Sequence, residues 1–321
     1  MDKNFLLKLK GDKFINKMQR RSFLKKSFLT GIGLSLGNSL LANSNFPVAS
    51  KFLTILHTND MHSRIEPFPN DGGRNANQGG MTKLASLVKK VRSETEDVLL
   101  LDSGDFFQGT PYFNLYGGEL ELKLMSQMGY DASTLGNHEF DNGLEGIQQQ
   151  LEHAKFNILS SNYDFTDTIL KDAFLPYKIF KKSGIKIGVF ALGISLEGLV
   201  GSKNYGKTKY LDPVTVAKEM VEELKRNKCD LVICLSHLGY SYRSGKIDDL
   251  KLASEVSGID LILGGHTHTF LDEPTLVKNA EGHTTIVNQV GTGALRLGKL
   301  DFEFSNSNKI TFASSRNLTI Y

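Results

Sequence analysis

His266 and His268, in Gly264-Gly265-His266-Thr267-His268, follow the apolar run Ile259–Leu263. A short strand ending there delivers two imidazoles to one side, because positions i and i+2 of an extended backbone share a face. The two preceding glycines let the backbone come close to something compact. The arrangement repeats along the chain: Asp60-Met61-His62 follows Phe52–Leu56, Asp105 follows Val98–Leu101, Asn137-His138 follows Ala132–Leu135, and His237 follows Leu231–Leu235. Five strand ends therefore carry an oxygen or imidazole donor, which predicts a metal site assembled at one edge of a sheet. Carboxylate, amide and imidazole donors without thiolate suit borderline to hard divalent ions such as Zn, Mn, Fe or Co. Two ions roughly 3.5–4 Å apart need one bridging ligand and several terminal ones. Asp60, Asp105 and Asn137 with His62, His237, His266 and His268 make up such a set.

The elements that must position these residues alternate along the chain. Strands are expected over 52–57, 97–102, 131–135, 157–161, 176–181, 185–192, 230–236, 259–263, 284–289, 296–304 and 309–316, and helices over 80–93, 117–128, 143–154, 213–227 and 247–256. Asp212-Pro213 is a helix start signal, an acid at the N-cap with proline at the first helical position. Val214, Ala217, Val221 and Leu224 then recur at helical spacing. The β-α-β-α-β run of the first half implies a parallel sheet with helices on its faces, and the short polar turn Ser305–Asn308 implies antiparallel pairing near the C-terminus. Loop 63–79 is long, rich in Asn, Gly and Pro, and adjacent to the first donor pair, a place where long loops tend to be functional.

With 321 residues, 40% hydrophobic and 23% charged, the chain can bury a large core, expected as one domain over 50–321. The net charge of +3 misleads, because residues 1–26 hold nine Lys/Arg against Asp2 and Asp12, a local +7 that leaves the remainder at −4. No nucleic-acid-binding surface follows from that balance. Arg20-Arg21-Ser22-Phe23-Leu24-Lys25 resembles a twin-arginine export signal, and the uncharged stretch Phe28–Ala42 after it is too short and too weakly apolar for a transmembrane span. Residues 1–49 are read as signal and linker, with export to the periplasm or cell envelope; the alternative is an amphipathic or interfacial N-terminal helix. Cys229 and Cys234 are five apart around one strand, on opposite faces, and are expected to be free apolar fillers.

Five segments, in order, resemble the motifs of calcineurin-like metallophosphoesterases, most closely the 5′-nucleotidase/UDP-sugar hydrolase branch: Leu56-His57-Thr58-Asn59-Asp60-Met61-His62-Ser63-Arg64, Ser103-Gly104-Asp105-Phe106-Phe107-Gln108-Gly109, Gly136-Asn137-His138-Glu139-Phe140-Asp141-Asn142-Gly143, Ser236-His237-Leu238-Gly239 and Gly264-Gly265-His266-Thr267-His268. The resemblance spans about 52–304 and implies a four-layer α/β/β/α sandwich of two mixed sheets. It implies one divalent ion on Asp60, His62 and His268, a second on Asn137, His237 and His266, and Asp105 bridging. His138 would stabilise the phosphoryl group or protonate the leaving oxygen, oriented by Asp141. Where some relatives carry Gln or Asn, this chain has His268, which bears on metal preference. The implied activity is metal-dependent hydrolysis of phosphate esters, with a nucleotide as the small substrate. The alternatives are a phosphodiesterase acting on 2′,3′-cyclic nucleotides or nucleotide-sugars, a sulfur-oxidation hydrolase, or a non-catalytic metal-binding module.

Several neighbours have plainer readings. Asp141 could cap a helix starting at Asn142 or Gly143, Arg64 could contact phosphate or lie on the surface, and Asn162 could support the site from the same sheet edge. His57 has the opposite strand parity and is expected to be packed, and Asp102 and Gln108 are expected to shape their loop. Relatives of this branch carry a C-terminal domain that stacks the base and supplies arginines. The chain runs to Tyr321, too short for such a domain, so it is expected either to act alone on varied phosphoesters or to join a separately encoded specificity domain.

Overall fold

The computed structural model describes residues 51–321, so the signal and linker expected over 1–49 lie outside the described residues. Two six-stranded sheets carry the fold. The first has the order β14-β13-β1-β2-β3-β4, built from β1 (Lys51–Thr58), β2 (Val98–Asp102), β3 (Ala132–Thr134), β4 (Asn157–Leu159), β13 (Arg296–Phe304) and β14 (Ile310–Thr319). Within it β1 to β4 run parallel, while β13 pairs antiparallel with both β1 and β14. The second sheet has the order β11-β12-β10-β9-β7-β6, from β6 (Tyr177–Lys182), β7 (Ile185–Leu192), β9 (Leu231–Ser236), β10 (Leu261–Gly264), β11 (Thr275–Lys278) and β12 (Thr284–Asn288). Its central four strands are parallel and its edges, β6 and β11, are antiparallel.

Side-chain alternation sorts the core into three layers. Ile55, Leu99, Leu101 and Phe302 of the first sheet meet Ile187, Val189, Ile233, Leu235 and Leu263 of the second, so the sheets pack face to face. The outer face of the first sheet, with Leu56, Val98 and Leu100, is covered by Leu84 and Val88 of helix Met81–Glu94, Leu122 and Met125 of helix Glu119–Met128 and Ile147 of helix Gly143–Gln150. On the outer face of the second sheet, Phe190, Val232, Cys234 and Ile262 meet Ala217, Val221 and Leu224 of helix Pro213–Arg226 and Leu252 of helix Asp249–Glu255. Strands buried on both faces are nearly continuous in hydrophobicity, which explains why they read as apolar runs. The architecture is the four-layer α/β/β/α sandwich. Asp212 caps its helix as expected, accepting from Thr215 N at 2.8 Å.

Some expected elements differ. The helix expected over 117–128 is preceded by a separate helix, Pro111–Tyr116, because Gly117 and Gly118 both take positive φ and break the turn between them. Helix 143–154 stops at Gln150 and finishes in a 3-10 turn over Leu151–His153. Strand β11 and the two short strands β5 (Tyr163–Asp164) and β8 (Lys209–Tyr210) have too few residues to produce a periodic signal. Both cysteines are free, but Cys229 precedes β9, so strand parity does not govern it and it packs against the same cluster as Cys234. No helix among the described residues is long and apolar enough to cross a membrane.

Candidate metal centre

Parallel strands carry their carboxyl ends to one edge, and ligand sites in open α/β sheets form there. The turns after β1, β2 and β3 of one sheet and after β9 and β10 of the other converge at that edge. Backbone hydrogen bonds lock the first two together: Asp60 N to Gly104 O at 2.9 Å, His62 N to Asp105 O at 2.9 Å and Ser63 N to Phe106 O at 3.0 Å. The two sheets are joined by Ser103 Oγ donating to Leu263 O at 2.7 Å and by His266 N donating to Asp60 Oδ1 and Oδ2 at 3.0 Å each.

All seven expected metal donors meet at this edge. Asp60, His62 and His268 form one cluster, and Asp105, His237 and His266 a second, with donor atoms in each within 4.8 Å of one another. Asp105 also groups with His62 and His138, so it lies between the two clusters. Asn137 Oδ1 is 2.8 Å from His266 Nδ1, in the second cluster. His268 Nε2 lies 2.9 Å from His62 Nε2 and 3.3 Å from Asp60 Oδ1. Asp60, Asp105 and His237 are buried, whereas the side chains of His62, His138 and His268 are 16%, 34% and 42% exposed, which leaves one side of the centre open to a substrate.

The backbone here is not extended, contrary to the reading of His266 and His268 as co-directed strand residues. Strand β10 ends at Gly264, and His266 and His268 take φ of 69° and 50°. Asp60, His62 and Asp105 are also left-handed, at 51°, 49° and 55°. Non-glycine residues reach this region at a cost of about 1–3 kcal/mol each, and such strain collects at functional sites. The turn after β10 thus directs His266 and His268 to different clusters instead of to one face.

The residues suit divalent cations. His237 Nδ1 is 2.6 Å from Ser103 O, which holds a proton on that nitrogen and turns Nε2 toward the cluster. That Nε2 is buried, makes no hydrogen bond, and lies 3.0 Å from Asp105 Oδ2. His62 Nδ1 faces Gln108 O at 3.1 Å, and its Nε2 likewise faces the cluster. Burial pushes the Asp105 carboxyl up, but the facing His237 outweighs it and holds the group well below the usual carboxylate range. Burial opposes protonation of His237, yet the Asp105 charge raises its pKa to about 10. Without a cation, the site therefore draws a proton onto His237, which metal binding would displace.

His138 Nδ1 lies 2.7 Å from Asp141 Oδ2, and this hydrogen bond raises the imidazole to about 9. Asp141 is not the N-cap of the helix that follows: Asn142 occupies that position. The His138 ring stands edge-on to His62, centroids 5.1 Å apart, and its backbone N–H donates to Asp105 Oδ1 at 2.8 Å. Other neighbours make contacts within the fold. Asn162 exchanges hydrogen bonds with Gly193, Arg64 lies over the Phe68 ring at 4.3 Å, and His57 is buried beside Asn288 with its pKa lowered to about 3 by desolvation. Asp102 accepts from Thr58, Ser133 and Gly104 and shapes its turn.

Two supports escaped sequence reasoning. Glu121, fully buried, accepts from Ser63 Oγ at 2.5 Å and so holds the turn that carries His62. A charged residue on the helix face that carries Leu122 and Met125 was the available signal. Asp60 is held from the far side, where Thr292 Oγ1 and Gly293 N donate to its carbonyl at 2.9 and 2.8 Å. Nothing in the sequence near Thr292 announces that contact.

The family description "Calcineurin-like phosphoesterase" matches residues 53–270. The chain belongs to that family. Its membership implies divalent metal ions, for which the clusters above are the candidate ligands. A 5′-nucleotidase of Vibrio cholerae serotype O1 is 37% identical over 280 residues, covering 79% of this chain and 49% of that protein. A snake venom 5′-nucleotidase of Gloydius brevicauda is 34% identical over 295 residues, covering 84% of this chain and 48% of its own. Among solved structures, the 5′-nucleotidase precursor from Thermus thermophilus superposes with a TM-score of 0.74 at 33% identity, covering 84% of this chain and 54% of that one. The chain spans about half the length of these relatives.

Proposed function

We propose that this chain hydrolyses phosphate monoesters of nucleotides, using two divalent cations, one on Asp60, His62 and His268 and the other on Asn137, His237 and His266, with Asp105 between them. The observation that carries the reading is that Asp105 groups both with His237 and His266 and with His62 of the other cluster, beside the His138–Asp141 pair. The similarity to 5′-nucleotidases supports the substrate class. Bound cations there would polarise phosphoryl oxygens and make water a nucleophile at neutral pH.

The chain's own residues do the rest. Asp141 holds a proton on His138 Nδ1, so the imidazole stays cationic near neutrality and its other nitrogen can donate to a phosphoryl oxygen or to the leaving oxygen. Its partial exposure leaves room for that contact. Asp60 and Asp105, both buried, supply fixed negative charge that keeps cations in place. Recognition of the base we assign to a domain of the kind that fills the other half of the relatives, joined to this chain or supplied separately. Export through residues 1–49 belongs to the same reading.

The test uses purified protein stripped with chelator and reloaded with Mn, Zn or Co. Phosphate release from 5′-AMP is compared with turnover of 2′,3′-cyclic AMP, UDP-glucose and bis-p-nitrophenyl phosphate. Metal-restored release from 5′-AMP is expected. Turnover of the diesters alone, or turnover indifferent to chelator, overturns the reading.

A further inference from the structure

Glu139, between His138 and Phe140, is 1% exposed and belongs to neither donor cluster. Its carboxylate instead accepts three backbone N–H groups. Asp105 N donates to Oε2 at 2.9 Å, Gly136 N to the same oxygen at 2.6 Å, and Phe107 N to Oε1 at 3.1 Å. Two of these donors belong to the turn after β2 and one to the turn after β3. A single buried acid thus spans the turns that carry Asp105 and Asn137–His138.

The packing leaves these turns little slack. A Cβ on Gly136 would lie 2.2 Å from Asp105 Oδ1 and 2.7 Å from His237 Nε2. Asp105 sits at a left-handed φ of 55°, a conformation that persists only where its surroundings impose it. Both carboxyl oxygens accept, Oε2 from two N–H groups and Oε1 from one, so a single side chain serves all three donors. A glutamine cannot, since its amide NH₂ would confront one of the N–H groups.

We propose that Glu139 is a positioning residue that sets the separation of the two cation positions, by clamping the Asp105 turn onto the Asn137–His138 turn. Asp105 Oδ1 is then fixed on His138 N, and Oδ2 faces His237 Nε2. The proposal rests on the two-cation reading above. It gives Glu139 no contact with substrate or metal.

The experiment titrates Co(II) alone into the chelator-treated full chain, following the visible absorption of the bound ion and the stoichiometry. Wild type is compared with Glu139→Gln and with Asp131→Asn. Asp131 is the control because its carboxylate, at the opposite edge, also ties β2 to the start of β3 through Leu100 N at 2.8 Å. In Glu139→Gln, one Co(II) equivalent is expected to bind about 10–100-fold more weakly, the usual cost of losing a group that orients ligands, with an altered absorption band. Asp131→Asn is expected to titrate like wild type. Wild-type affinities and spectrum in Glu139→Gln overturn the proposal, as does an equal change in Asp131→Asn, which would mean general loosening of the two strands. Wild type that binds no Co(II) removes the cation reading itself, a result distinct from either.

Discussion

His138 is the side chain whose chemistry can be tested with least disturbance to the fold, since it is partly exposed and its Nδ1 is held by Asp141, a residue of neither donor cluster. His138→Gln is expected to lower kcat by about 10²–10⁴-fold, the usual contribution of a positioned acid or base. Bound metal and the far-UV spectrum should stay as in wild type; loss of metal in the variant would mean that the ring serves as a ligand instead. Gly136 gives a second residue-scale prediction. Its φ is ordinary, so Gly136→Ala acts purely by crowding Asp105 and the His237 ring. Metal affinity should fall at least about tenfold, in the range for disturbing groups that orient ligands. Equilibrium dialysis against Zn checks this, and unchanged affinity would show that the two turns can yield.

At the scale of elements, two predictions concern how the scaffold is anchored. The helix Pro213–Arg226 begins at Asp212, whose carboxylate accepts from both the backbone and the hydroxyl of Thr215. Asp212→Ala should cost about 1 kcal/mol in urea unfolding, with activity unaffected, because the cap serves its own helix and is far in sequence from every donor turn. At the end of β2, burial raises the Asp102 carboxyl to about 7. Its folded pKa thus exceeds the unfolded value of about 3.9, so the folded state binds the proton more tightly. The stability this contributes is fully present below about pH 4 and is lost as pH rises through about 7. In chelator-treated protein, Asp102→Asn should flatten the fall in unfolding free energy between those limits, a difference on the order of a few kcal/mol. Denaturant titrations at pH 5 and 8 measure it, and parallel pH profiles for the two proteins would refute it.

For the whole molecule, the centre ties together two sheets whose facing surfaces are packed with apolar side chains. A ligand that binds the folded state stabilises it by about 2.7 kcal/mol at a hundredfold excess over Kd. Chelation should therefore lower Tm by a few degrees, and Mn or Zn should restore it, as differential scanning calorimetry would record. An unchanged Tm would mean that the bridging contacts hold the sheets without a cation.

Much of this architecture was legible in the chain. Strands buried on both faces need unbroken apolar runs, so Leu231–Leu235 and Ile259–Leu263 announced themselves, and each run ended at a polar donor. That pattern, with the five motifs, determined the family and the sheet edge and singled out the seven candidate donors that meet there. Only the tertiary structure decided how they divide. The left-handed backbone at His266 and His268 separates two side chains that strand parity would have aligned, whereas Asp60 and His62, also left-handed, stay in one cluster; such conformations are imposed by contacts from distant segments. In the turns of Asp105, Ser63 and Asp60 such contacts come from Glu139, Glu121 and Thr292, and no local periodicity reports them, because a hydrogen bond between turns depends on which strands lie side by side. The paired histidines after β10 were thus readable as candidate ligands from sequence, while their separation into two clusters required the packed sheets.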